Sequence, residues 1–208
     1  MNSKRYFNKV ANQWDSMRKD FFSESVRDKA LTVAAVRSGQ IAVDMGAGTG
    51  FMTEALIHRG LDVIAVDQSE TMLDMLRNKF GGSKKIECYL GNAQNLSLKD
   101  GLADYVFANM YLHHADNPPQ AIQEMARVLK IGGKLVITDL DDHQFDFLRK
   151  EHCDKWMGFK RQDIKRWFSD AALGDVRIDC LGENCCAQSV CGTDKAEISI
   201  FVALGRKS

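Results

Sequence analysis

Three groups of residues in this chain have the types and spacing to do chemistry. The first is the run Asp44-Met45-Gly46-Ala47-Gly48-Thr49-Gly50. Glycines at alternate positions let the backbone turn sharply and come close to a bulky ligand, because no Cβ is in the way. The dinucleotide fingerprint spaces its glycines G-x-G-x-x-G and seats a pyrophosphate on a helix N-terminus. Here the spacing is G-x-G-x-G, and Asp44 stands two residues before the first glycine. A carboxylate there repels a pyrophosphate and attracts a cation. Asp67 closes the run Val63-Ile64-Ala65-Val66-Asp67, where a carboxylate can accept hydrogen bonds from both hydroxyls of a ribose. The pair reads as a site for a nucleoside that carries positive charge.

The second group is His113-His114, which follows the apolar run ending at Asn109. A neutral imidazole there can take a proton from an oxygen, a nitrogen or an acidic carbon; a pocket wall is the plainer alternative. The third group is the cysteines, of which Cys153, Cys180, Cys185, Cys186 and Cys191 lie in the last third of the chain. Soft thiolates favour soft metals and metalloids, so a thiol-bound, arsenite-like substrate is one reading of Cys185, Cys186 and Cys191, and a buried apolar role is another for Cys180. No C-x-x-C pair occurs, the usual zinc spacing is missing, and no metal site is expected.

These groups need elements to position them. After a helical stretch over 4–37, with Tyr6, Val10 and Trp14 at four-residue spacing and a second helix over Ser25–Val36, short apolar runs alternate with helical periods. That alternation signals a parallel sheet with crossover helices. The expected strands are Ile41–Met45, Asp62–Asp67, Lys85–Leu90, Asp104–Asn109 and Lys134–Leu140, with helices over Thr53–Arg59, Ser69–Phe80 and Pro119–Leu129 between them. Residues 141–173 read as helical, strands follow at Val176–Leu181 and Glu197–Leu204, and Gly182–Lys195 reads as a long hairpin loop. The glycine turn then lies after the first strand, Asp67 at the end of the second, and the histidines after the fourth. Tyr6, Trp14 and Arg18 on the N-terminal helices read either as a lid over the ligand or as plain packing against the sheet.

With 208 residues, 45% of them hydrophobic, the chain suits one domain with a full core. Its 28 basic and 28 acidic side chains leave no net charge, which removes the electrostatic argument for a nucleic-acid or membrane-surface binder. No apolar run reaches bilayer length, and Met1 to Tyr6 leads into an amphipathic stretch, so a cytoplasmic protein without a disulfide framework is the expectation.

The motifs together resemble the class I S-adenosylmethionine-dependent methyltransferases of the small-molecule, ubiquinone/menaquinone-biosynthesis-like type. The glycine turn matches as DMGAGTG and the end of strand two as VIAVDQSETML. Gly91-Asn92-Ala93 stands where Gly-Asp-Ala is usual, Asn109 to His114 follows strand four, and Ala121 to Lys134 is close to a family signature, with Ile131 in place of proline. The matched motifs run over about residues 40–140. The resemblance implies a three-layer α/β/α sandwich with a seven-stranded, mostly parallel sheet in the order 3-2-1-4-5-7-6, strand seven being antiparallel. It implies one methyltransferase domain over 1–208, with a helical cap over 1–38, a cofactor-binding core over 39–140 and a substrate side over 141–208.

It also implies roles by position. Gly46, Ala47, Gly48 and Gly50 line the methionine and ribose of S-adenosylmethionine, with Asp44 near its amino group and the Asn109 carbonyl facing that group. Asp67 holds the ribose hydroxyls, Gln68 lies beside the adenine, and Asn92 and Ala93 meet the adenine edge. As an amide rather than a carboxylate, Asn92 accepts from the adenine amino group without charge assistance. Trp14, His143, His152 and Trp156 are the expected substrate contacts, and a small molecule acted on by direct displacement is the expected partner, with the protein a monomer or homodimer. The rival readings are a protein that keeps S-adenosylmethionine or S-adenosylhomocysteine without turnover, and a nicotinamide-dependent oxidoreductase, which the G-x-G-x-G spacing disfavours.

Overall fold

A computed structural model describes residues 3–208. Helices α1 (Ser3–Val10), α2 (Trp14–Phe21) and α3 (Ser25–Ala34) precede strand β1 (Ile41–Met45). The chain then alternates through α4 (Phe51–His58), β2 (Asp62–Asp67), α5 (Glu70–Phe80), β3 (Ile86–Leu90), β4 (Ala103–Asn109), α6 (Pro118–Val128) and β5 (Leu129–Leu140). Helices α7 (Asp146–Glu151) and α8 (Arg161–Asp170) lead to β6 (Leu173–Gln188) and β7 (Lys195–Lys207). The strands form one sheet in the order β3-β2-β1-β4-β5-β7-β6. Strands β1 to β5 pair in parallel, whereas β7 runs antiparallel to both β5 and β6. This is the order and the strand direction expected from the sequence.

The central strands are apolar on both faces because helices cover both. One core, around Val43, Val106, Ile137 and Phe201, lies under α6 and α8, where Ile122, Met125, Ile164 and Phe168 point inward. A second core, around Ala42, Phe107, Val136 and Ile200, lies under α3 and α4, where Val26, Leu31 and Leu56 are fully buried. Capping residues set two helix starts: Ser69 Oγ accepts the Met72 N–H at 3.1 Å, and Asn117 Oδ1 accepts the Gln120 N–H at 3.3 Å, with proline opening α6. No helix among the described residues is long and apolar enough to cross a membrane.

Three segments differ from the sequence expectation. The stretch over 4–37 is broken by a 3₁₀ turn at Ala11–Gln13 and by Phe22, which turns extended at φ −157 and buries its ring against Phe51. Residues 141–173 hold two helices rather than a continuous helical stretch. Gly158 separates them at φ +69, where a side chain would collide with the Asp141 carbonyl, and Phe159 bridges back to Asp141. The segment Gly182–Lys195 is mostly strand. A bulge between Cys180 and Asn184, with Gly182 at φ +71, restores the pairing, and β6 runs on against β7 to Gln188. Cys185 is buried there between exposed neighbours, so the alternation is present in a stretch whose polarity reads as loop.

Candidate functional site

The glycine turn is suspended from the end of β2. Both the Gly46 and Ala47 N–H groups donate to the Val66 carbonyl, at 2.9 and 3.0 Å. Gly46 sits at φ +71 under the Tyr111 ring, which any side chain would strike. Gly50, at φ +94, starts α4 with Phe80 2.7 Å from where a Cβ would lie. Asp67 joins this turn to the next one: its Oδ2 accepts the Gly48 N–H at 2.9 Å and its Oδ1 the Ser69 N–H at 2.8 Å. Burial pushes the Asp67 carboxyl up, against these backbone donors, which favour its ionised form.

Asp44 is 1% exposed and accepts from Thr53 Oγ1 at 2.5 Å. Burial pushes its carboxyl up to about 7; Thr53 opposes this and Asp67 adds to it. Asp44, Gly46, Ala47, Gly48, Asp67, Gln68 and Asn109 all line one cavity. Its remaining wall comes from the N-terminal helices and from Phe51, Met52, Met72, Met110, Tyr111 and His114. Arg18 reaches this cavity, but its guanidinium is committed to the Phe22 carbonyl, to Glu24 and to the face of Phe51. The Ser3 hydroxyl, also in the wall, is buried without a hydrogen-bond partner among the described residues. Two carboxylates, an unmatched hydroxyl and close backbone fit a cationic, nucleoside-like ligand.

A second cavity adjoins the first. Phe7, Trp14, Phe22, Met110 and His114 line both. Its own wall adds Tyr6, Phe21, Leu140, Leu148, His113, His152, Asp154, Cys185 and Ala187. The 3₁₀ turn Leu112–His114 is anchored by Asp139 at the end of β5, whose Oδ2 accepts the Leu112 N–H at 2.8 Å while Oδ1 meets His113 Nδ1 at 2.7 Å. Burial alone would depress the His113 imidazole, but the Asp139 and Asp154 carboxylates outweigh it and hold it up to about 9. Burial and the adjacent His113 push His114 well below the usual imidazole range. Burial raises Asp154 to about 6. His113, His114 and Asp154 bring their ligating atoms within 4.8 Å of one another, a grouping that spacing does not reveal.

The other expected residues are placed as follows. Gly50, Asn92 and Ala93 lie outside both cavity walls; Asn92 is exposed and its Oδ1 accepts the Gln94 N–H at 3.1 Å. Among the expected substrate contacts, Trp14 and His152 line the second cavity, and the Tyr6 hydroxyl meets His152 Nδ1 at 3.0 Å. His143 and Trp156 do not. His143 Nδ1 accepts the Phe145 N–H at 3.3 Å, and the Trp156 indole donates to the Ala115 carbonyl at 2.9 Å, the residue being 38% exposed. The cysteines do not converge: strand alternation turns Cys185 inward while Cys180, Cys186 and Cys191 are exposed. Asp139, Asp154 and Phe7 carry no motif that marks them, and Tyr111 lies within the Asn109–His114 motif without a role assigned to it. The faint signal for Asp139 is its position at a strand's C-terminal end, where such sheets bind ligands.

Residues 43–137 match a family model described as a methyltransferase domain. The chain is 31% identical over 173 residues to a demethylmenaquinone methyltransferase of Thermobifida fusca, covering 79% of this chain and 71% of that one. It is 39% identical over 141 residues to the biotin biosynthesis bifunctional protein BioHC of Cellvibrio japonicus, covering 67% of this chain and 28% of that one. The chain spans about half the length, 56%, of the relatives that rank next. Among solved structures, the phosphoethanolamine N-methyltransferase 2 of Haemonchus contortus in complex with S-adenosyl-L-methionine superposes with a TM-score of 0.72 at 17% identity, over 87% of this chain and 52% of that one.

Proposed function

The chain belongs to the S-adenosylmethionine-dependent methyltransferase family, and on that premise we propose that it transfers a methyl group from S-adenosylmethionine to a small molecule seated in the second cavity. The observation that carries this reading is the contact between the two cavities. A cationic-ligand site built on Asp44, the glycine turn and Asp67 shares a wall with a mostly apolar, aromatic site that ends at His113, His114 and Asp154.

S-adenosylmethionine, when bound, supplies a methyl group on a positively charged sulfur. The residues of the first cavity do the holding. Asp44 compensates the charge of the amino group, and the Asn109 carbonyl faces it. Asp67 accepts from the ribose hydroxyls with the lone pairs its backbone donors leave free. The Gly46–Gly48 backbone lies close because no side chain intervenes, and Gln68 lies toward the base. Asn92 and Ala93, which lie outside both cavity walls, are the residues assigned to the adenine edge. In the second cavity Phe7, Trp14, Phe21 and Phe22 exclude water and fix the acceptor's orientation, which by itself supplies much of the rate for an already activated methyl. The His113–His114–Asp154 group faces the acceptor's nucleophilic atom and handles its proton. The apolar wall and the demethylmenaquinone methyltransferase relative favour a ring compound carrying a hydroxyl or an acidic carbon.

The test is release of S-adenosylhomocysteine from the purified protein with hydroquinones, phenols, thiols and amines, beside calorimetric titration of the cofactor. Acceptor-dependent release is expected, strongest with the ring hydroxyl compounds. Tight cofactor binding without release from any acceptor would support the non-catalytic binding protein instead.

A further inference from the structure

We propose that His113, His114 and Asp154 form a site for one divalent transition-metal ion at the inner end of the second cavity. His113 Nε2 and His114 Nδ1 stand 3.9 and 3.8 Å from the same Asp154 oxygen. Those separations exceed hydrogen-bond range, so the three side chains face one another without bonding. Around a tetrahedral ion with ligand bonds of about 2.0–2.2 Å, neighbouring ligand atoms lie roughly 3.4 Å apart. The two separations to Asp154 therefore need to close by about half an ångström to hold an ion, and the three ligand atoms already lie within 4.8 Å of one another.

Three further observations converge on the same place. Asp154 is 5% exposed, and its carboxylate faces the two imidazoles rather than solvent; a cation joining it there offsets the cost of burying its charge. His113 is already oriented as metal-bound imidazoles are, with its Nδ1 fixed by Asp139 at 2.7 Å and its Nε2 directed to the centre of the group. All three side chains line the second cavity, so three protein ligands leave a fourth position open toward the acceptor, the arrangement of a catalytic rather than a structural site. Two imidazoles and a carboxylate select zinc, cobalt, nickel or iron over magnesium or calcium. An oxygen or sulfur donor on the acceptor is the chemistry that takes the open position. That last step rests on the methyl-transfer reading; the metal site does not.

The experiment is titration of the metal-free protein with Co²⁺, read by visible absorption. One equivalent should bind with d–d bands of a tetrahedral or five-coordinate site, and Zn²⁺ should bleach them. Asp154→Asn and His114→Gln should each weaken Co²⁺ binding at least tenfold, and Asp139→Asn about 10- to 100-fold, with far-UV circular dichroism unchanged. Cys186→Ser, at an exposed thiol away from the group, should leave the bands in place. Absence of bands in the wild-type protein, or bands that survive Asp154→Asn and disappear with Cys186→Ser, would overturn the site. The two readings fail separately. Cobalt bound without S-adenosylhomocysteine release overturns methyl transfer alone, and release that persists with a chelator present and no cobalt bands overturns the metal site alone.

Discussion

At the scale of single residues the two carboxylates of the first cavity make different demands. Asp67 bridges the Gly48 and Ser69 N–H groups, so Asp67→Ala should weaken S-adenosylmethionine binding by roughly 1–3 kcal/mol, the cost of lost hydrogen bonds and unpaired donors. Unchanged affinity in calorimetry would exclude it from the ribose. Asp44 is instead a charge buried in advance of its partner, its carboxyl pushed up to about 7 by burial. Folding then favours the protonated form. The stabilisation is present at low pH and is lost as pH rises from the ordinary carboxylate range through about 7. In the cofactor-free protein, Asp44→Asn should melt with the wild type at about pH 4 and progressively above it as pH rises to about 7, the window set by that shift. A gap independent of pH would mean that Asp44 is ionised throughout. The same variant should bind the cofactor more weakly, because stability and ligand charge compensation pull in opposite directions at this position.

At the scale of elements, the site is held where the N-terminal helices meet the sheet. Ser69 caps α5 and its hydroxyl also donates to Asn8 Oδ1 at 2.6 Å, while Thr49 donates to Asp15 at 2.5 Å. Ser69→Ala should cost about 1 kcal/mol in chemical denaturation as a lost cap. It should also speed proteolysis within the first twenty or so residues, since α1 loses a polar anchor; equal cleavage rates would show that the apolar contacts alone hold the cap. The paired strands β6 and β7 matter for a different reason. Their extension past the bulge carries Cys185 and Ala187 into the wall of the second cavity. The polarity of Gly182–Lys195 reads as loop because one face of this extension is solvated, and two extra residues between the Cys180–Phe201 and Asn184–Ser199 pairs interrupt the strand pattern.

At the scale of the whole molecule, two cavities share one aromatic wall. Trp14 lines both and meets Phe7 edge-on at a ring distance of 5.2 Å. Trp14→Ala should therefore raise the cofactor Kd and the acceptor KM together, with little change in Tm because the ring is only partly buried; movement of one constant alone would place Trp14 in a single cavity. The fold, the glycine turn and the acid at the end of β2 were determined by the sequence alone. Each depends on local rules: apolar periodicity, positive φ at glycine, and a carboxylate at a strand's end. The tertiary structure alone decided which distant side chains meet. His113 reaches Asp139 across 26 residues and Asp154 across a further helix and turn, and His143 and Trp156, alike in type to the cavity residues, are turned to other partners. Sequence specifies a residue's backbone setting, whereas what a side chain faces depends on how strands β4 and β5, the α7–α8 segment and the N-terminal helices pack around the same strand ends.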